Sequence, residues 1–87
     1  KPVLIDFHTV WCAPCKKMAP IIDAIETDYK DQAIVMRVDV DKSKDVAKAY
    51  NIQSVPVFIV FKNGKPQWTH NGIISKEALA AALDKTL

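Results

Sequence analysis

The apolar residues of this chain fall into short unbroken runs and one long helical stripe. Val3-Leu4-Ile5-Asp6-Phe7 is nearly continuous, which suits a central strand covered on both faces. Met18, Ile21, Ile22 and Ile25 then recur at helical spacing as far as Tyr29, forming the buried stripe of an amphipathic helix. Pro14 falls in its first turn, where a missing N–H does no harm. Pro20 lies inside the pattern and predicts a kink rather than an end. Ile34–Asp39 reads as a second strand, and strand–helix–strand order implies a parallel pair with a right-handed crossover. A short helix is expected around Asp45–Tyr50, a third strand over Val57–Phe61 and a fourth over Lys65–His70. Asn63-Gly64 between the last two is the strongest short signal for a hairpin. Ser75 offers an N-cap to a final helix, with Glu77 in its first turn to suit the dipole and Leu79, Ala82 and Leu83 facing inward. The order βαβ-α-ββα predicts an α/β fold, a four-stranded mixed sheet with helices on both faces, in a single domain over residues 1–87.

Composition narrows the function without naming it. The chain has 87 residues, 49% hydrophobic and 25% charged, enough for a real core without metals or several disulfides. A net charge of +2 interleaves 12 basic residues with 10 acidic ones and gives no reason to expect nucleic acid. The longest apolar run, Val55 to Phe61, is too short to span a membrane and contains Pro56. Because the chain starts at Lys1, we expect that an upstream segment has been removed. Cytoplasmic and periplasmic locations both stay open, since one cysteine pair fits either.

Both cysteines lie in Trp11-Cys12-Ala13-Pro14-Cys15-Lys16. A bridge across so short a spacing ties down almost no chain, so a structural role is poorly served. An attacking thiol beside a resolving thiol is what thiol–disulfide exchange requires. Cys12, at the start of the helix, faces free N–H groups and the positive end of the dipole, which favour thiolate over thiol. It is the expected nucleophile, and Cys15, one turn inside and expected to be less exposed, is the resolving thiol. Zinc needs four ligands, and beyond the two cysteines only His8 and His70 are good candidates, the latter on a distant strand. No metal is therefore expected. Haem attachment would need histidine directly after Cys15, where Lys16 stands. Asp6 lies within an apolar strand, so its carboxylate would be desolvated and its pKa pushed up toward the range of a general base. The alternative for Asp6 is an exposed residue at the strand end.

The Trp11–Lys16 segment stands between a strand carrying Asp6 and a helix carrying Pro20. Val55-Pro56, Phe61-Lys62-Asn63-Gly64 and Gly72 follow in order. This set resembles the thioredoxin family over essentially the whole chain. The resemblance implies a thioredoxin-like fold and a protein-disulfide reductase with no cofactor beyond a redox-active Cys12–Cys15 disulfide. It implies that Asp6 takes the proton of Cys15 through water. It also makes the Val55-Pro56 bond cis, where the sequence alone favours trans, and leaves the Val55 backbone free to pair with an extended substrate. Trp11, Ala13, Pro14 and the backbone around Gly72 would form a shallow apolar contact surface; the alternative for Trp11 is a core residue, but a tryptophan directly before an exposed thiol more often lines the site. The implied partners are disulfide-containing proteins and a separate electron donor, such as a thioredoxin reductase or a membrane thiol relay.

The chain departs from the family pattern in several places. Ala13 stands where glycine is usual, which can shift the redox poise. His8 replaces a usual tryptophan and is either a packed histidine or a group that titrates near the site. Arg37 occupies the place of a lysine beside Asp6 and holds its charge more firmly, which weakens a shared-proton mechanism. Two other functions compete with the reductase: an oxidase or isomerase in an exported compartment, and a non-enzymatic interaction module with an idle dithiol. The family's additional N-terminal strand and helix are lacking here, which makes Ile34–Asp39 an apolar edge with Arg37 its only basic residue. Such an edge is a template for pairing, so we expect either a trimmed version of a longer protein or a minimal domain that covers the edge by self-association.

Overall fold

A computed structural model describes residues Lys1–Leu87. Its elements are β1 (Val3–His8), α1 (Ala13–Asp28), β2 (Ile34–Asp39), α2 (Lys44–Ala49), β3 (Val57–Lys62), β4 (Lys65–Asn71) and α3 (Lys76–Asp84). The four strands form one sheet in the order β2-β1-β3-β4. β1 runs parallel to β2 and antiparallel to β3, and β3 pairs antiparallel with β4. The two nearly continuous apolar runs are thus the two inner strands, as burial on both faces demands.

Alternation along the inner strands divides the core between two faces. Leu4, Phe58 and Val60 point to one side, where Met18, Ile22 and Ile25 of α1 and Leu79 and Leu83 of α3 cover them. Phe7, Val57, Ile59 and Phe61 point to the other side, backed by Val40 and Ile52. There the ring of Tyr50 sits 6.0 Å from that of Phe7 and 5.4 Å from that of Phe61. Ile21 is only partly buried at the margin of the first cluster.

The helix boundaries follow from local chemistry. Helix α1 begins with Cys12 as its N-cap and runs through Pro20. α2 starts one residue earlier than the sequence predicts and stops before Tyr50, because Asn51 adopts a left-handed φ of 55° that ends the helix. Asn63 and Gly64, with φ of 55° and 77°, make the β3–β4 hairpin with positive φ at both central residues. Ser75 caps α3 by accepting the Ala78 N–H at 3.1 Å. Two polar links join α1 to α3 outside the core: Lys76 to Asp28 at 2.8 Å, and Tyr29 Oη donating to Asp84 at 2.6 Å. The hydrogen bond to Asp84 pushes the Tyr29 pKa up to about 12. β2 is an outer strand, with Ile34 and Met36 each 48% exposed.

Two substitutions separate core packing from capping. Phe58→Ala empties a fully buried site and is expected to cost about 3–5 kcal/mol. Ser75→Ala removes one hydrogen bond from an exposed cap and should cost about 1 kcal/mol. Urea unfolding measures both, and equal losses would contradict this division of labour.

Candidate active site

β1 ends at His8 and α1 begins at Ala13, so the connecting turn delivers Cys12 to the top of the sheet. Cys12 is an extended N-cap whose Sγ accepts the Cys15 N–H at 3.1 Å. A sulfur thus takes the place of the oxygen that usually satisfies this orphan donor. Cys12 and Cys15 are joined as a disulfide, with their Cα atoms 5.2 Å apart.

The expected difference in cysteine exposure is not found: Cys12 is 5% exposed and Cys15 is 7% exposed. The reason is that the Val55 loop covers Cys12, whose Sγ lies 3.9 Å from the Val55 carbonyl oxygen. What separates the two sulfurs is the surface each meets. Cys12 lines an open groove of about 440 Å³ together with Trp11, Ala13, Pro14 and Val55, and Cys15 does not. Cys15 instead belongs to the inward stripe of α1 with Met18 and Ile22.

Trp11 is 70% exposed and forms a wall of the groove, so it is not a core residue. Its indole N–H donates to Asp41 Oδ2 at 2.8 Å, which fixes the ring across the groove from β2. Asp41 was not identified from the sequence, and neither were Thr9, Gln53 and Ser54, which also line the groove. A topological signal could have found some of them. Thr9 and Asp41 lie one and two residues past the ends of the parallel strands β1 and β2, and the carboxyl ends of parallel strands are where α/β folds gather ligand-binding residues. The Val55-Pro56 bond is cis, with Pro56 fully buried beneath the groove. The Pro56 carbonyl accepts the Gly72 N–H at 2.8 Å. Gly72, at a φ of 95°, is thereby tied to the proline backbone and does not itself line the groove.

Asp6 is 6% exposed and is not a strand-end surface residue. It lies two residues from Leu4 on the same strand and so faces the α1 side of the sheet. Desolvation by burial raises its pKa above the ordinary 3.8, against smaller lowering effects from His8 and then Arg37. Its Oδ1 has no hydrogen-bond partner. Arg37 is the register partner of Asp6, yet its guanidinium turns away to bond Asp23 at 2.6 Å and Glu26 at 3.1 Å. The basic residue expected beside Asp6 is thus committed to two carboxylates of α1. No cluster of three or more metal-ligating side chains occurs, and no helix is long and apolar enough to cross a membrane.

Comparison with known proteins bears on this site. The family model described as thioredoxin matches residues 1–85. The chain is 43% identical over 86 residues to "Thioredoxin 1" of Synechococcus elongatus, covering 99% of this chain and 80% of that protein. It is 42% identical over 84 residues to a thioredoxin of Staphylococcus aureus, covering 97% of this chain and 81% of the relative. Among solved structures it superposes on the germline-specific thioredoxin Deadhead of Drosophila melanogaster with a TM-score of 0.91 at 26% identity. That match covers 100% of this chain and 82% of that one.

Burial of the unpartnered carboxyl sets a pH dependence of stability. A raised native pKa means that the folded protein holds the Asp6 proton after the unfolded chain has lost it. Stability from this group is full below the ordinary value of 3.8 and falls as pH rises through the native pKa. Asp6→Asn should therefore match the parent at low pH and exceed it by more than about 1 kcal/mol at neutral pH. Urea unfolding of the oxidised proteins across that range checks it; a difference independent of pH would contradict the assignment.

Proposed function

This chain belongs to the thioredoxin family and is a thiol–disulfide oxidoreductase, and from that premise we propose that it reduces disulfides of protein substrates through Cys12 and Cys15. The observation that carries this reading is the position of Cys12 Sγ, held by a helix N-terminal amide at 3.1 Å and lining the groove. In the reduced protein the same amide and the dipole of α1 stabilise a thiolate on Cys12. An extended substrate segment lies in the groove against Trp11, Ala13 and Pro14 and pairs with the backbone at Val55.

The Cys12 thiolate attacks one sulfur of the substrate disulfide, forming a mixed disulfide and releasing the first substrate thiolate. Cys15 then gives its proton to the Asp6 carboxylate, and its sulfur attacks Cys12 Sγ. The Cys12–Cys15 bond forms, the mixed disulfide breaks, and the second substrate sulfur leaves as a thiolate that takes a proton from solvent. Two electrons have passed from the dithiol to the substrate. A separate dithiol donor, of the kind that recharges the family, returns them. Asp6 suits its role because burial raises its affinity for the proton.

Reduction of insulin with dithiothreitol as donor tests the scheme. Cys12→Ser should abolish turnover. With the donor omitted, pre-reduced Cys15→Ser should retain the first attack and accumulate a covalent mixed disulfide visible by mass spectrometry. An adduct on Cys12→Ser and none on Cys15→Ser would reverse the two roles.

A further inference from the structure

Three buried side-chain polar atoms have no partner in this protein, and all belong to residues 6–9: Asp6 Oδ1, His8 Nδ1 and Thr9 Oγ1. Buried polar groups in folded proteins are nearly always hydrogen-bonded, so this concentration at one strand end calls for a reason. Thr9 belongs to the substrate groove. Asp6 and His8 share the other side, since alternation along β1 sends both toward α1, whose inward stripe begins with Cys15.

The reaction above moves the Cys15 proton onto Asp6, and the attack by Cys15 is favoured when that proton can move on to water. Asp6 is 6% exposed and its Oδ1 is buried, so little water reaches the carboxyl directly. Arg37 is engaged by Asp23 and Glu26 and has no site to accept a proton. His8 has the attributes of an exit. It lies close enough that its charge acts on Asp6 more strongly than that of Arg37. Its Nδ1 is buried and unpartnered, while the side chain as a whole is only half-buried. Nε2 is not among the buried unpartnered atoms, so the ring spans from the interior to the surface. An imidazole with one nitrogen inside and one outside can take a proton on the first and shed it from the second.

We propose that His8 is the proton exit of the site, a positioning residue that passes the Cys15 proton from Asp6 to solvent as Cys15 attacks. This rests on the roles assigned above to Cys12, Cys15 and Asp6. The proton that leaves Cys15 passes to the Asp6 carboxylate and then to the inner nitrogen of His8, and the outer nitrogen releases one proton to water. Carboxylate and neutral imidazole are both restored, and no electrons move in this relay. The other ionisable groups facing this side do not substitute for His8. Asp39, its register partner on β2, accepts the N–H groups of Asp41 and Lys42. His70 lies two strands away with Nε2 at 3.1 Å from the Ile73 carbonyl oxygen. On α3, Lys76 is paired with Asp28 of α1.

A chromogenic aromatic disulfide separates the two chemical steps in stopped flow: the first thiol released reports attack by Cys12, and the second reports attack by Cys15. With His8→Asn or His8→Gln the first phase should be unchanged. The second should slow by about tenfold or more between about pH 6 and 8 and recover when free imidazole is added. An unchanged second phase overturns the proposal, as does a slowing that imidazole does not relieve, because a merely structural histidine would give either result. If neither variant folds, the unsubstituted protein decides: the NMR titration of the His8 ring should shift in Asp6→Asn, and an unmoved curve overturns the coupling. Loss of the first phase in the unsubstituted protein would instead sink the exchange reaction itself, and the relay with it.

Discussion

The Cys15 N–H donating to Cys12 Sγ is the contact on which the rest of the site depends. A helix must satisfy its first N–H groups, and most helices do so with a serine, threonine or aspartate oxygen. Here the cap is sulfur, so the group that completes the helix is also the group that reacts. Reduction leaves an electron-rich sulfur where the helix already requires an acceptor, and chemistry and folding draw on the same interaction. The spacing to Cys15 follows from that geometry, because one helical turn brings the second sulfur within bonding distance of the first.

A second constraint comes from β1, which is an inner strand and cannot turn Asp6 to water. Its faces are already covered, by α1 and α3 on one side and by the Phe7 cluster on the other. Placing a carboxylate at this position costs stability and raises its proton affinity by the same desolvation. The protein leaves that cost uncompensated: Arg37, adjacent in register, bonds to carboxylates on the helix surface instead. The end of β1 therefore combines the least satisfied polar atoms of the chain with its reactive sulfurs. Such a coincidence of strain and function is what consistency between sequence and fold leads one to expect at an active site.

Most of the fold was legible because its signals are local. The apolar run before Asp6, the stripe from Met18 to Ile25, Asn63-Gly64 and Ser75 each act within a few residues, and β2 spans Ile34–Asp39 as its pattern predicts. The end of α2 was misplaced by one residue because the left-handed Asn51 gives no periodic signal. The site was legible only in part. Cys12, Cys15 and Asp6 stand out by residue type, but the cis Val55-Pro56 bond came from family resemblance alone. Asp41 reaches Trp11 across 30 residues of sequence, and no spacing rule finds such a pair. The equal burial of the two cysteines was equally invisible, since it depends on a loop that closes over Cys12 from far along the chain.

The start of α1 presents Cys12 to the groove as a thiolate, while Cys15 points into the inward stripe of the helix. Alkylation of the reduced protein with iodoacetamide as a function of pH, with the modified residue identified by peptide mapping, tests this most directly. The account predicts that Cys12 is modified first, with a midpoint well below the roughly 8.5 of an ordinary cysteine, and that Cys15 resists. A midpoint at or above that value, or prior modification of Cys15, would contradict it.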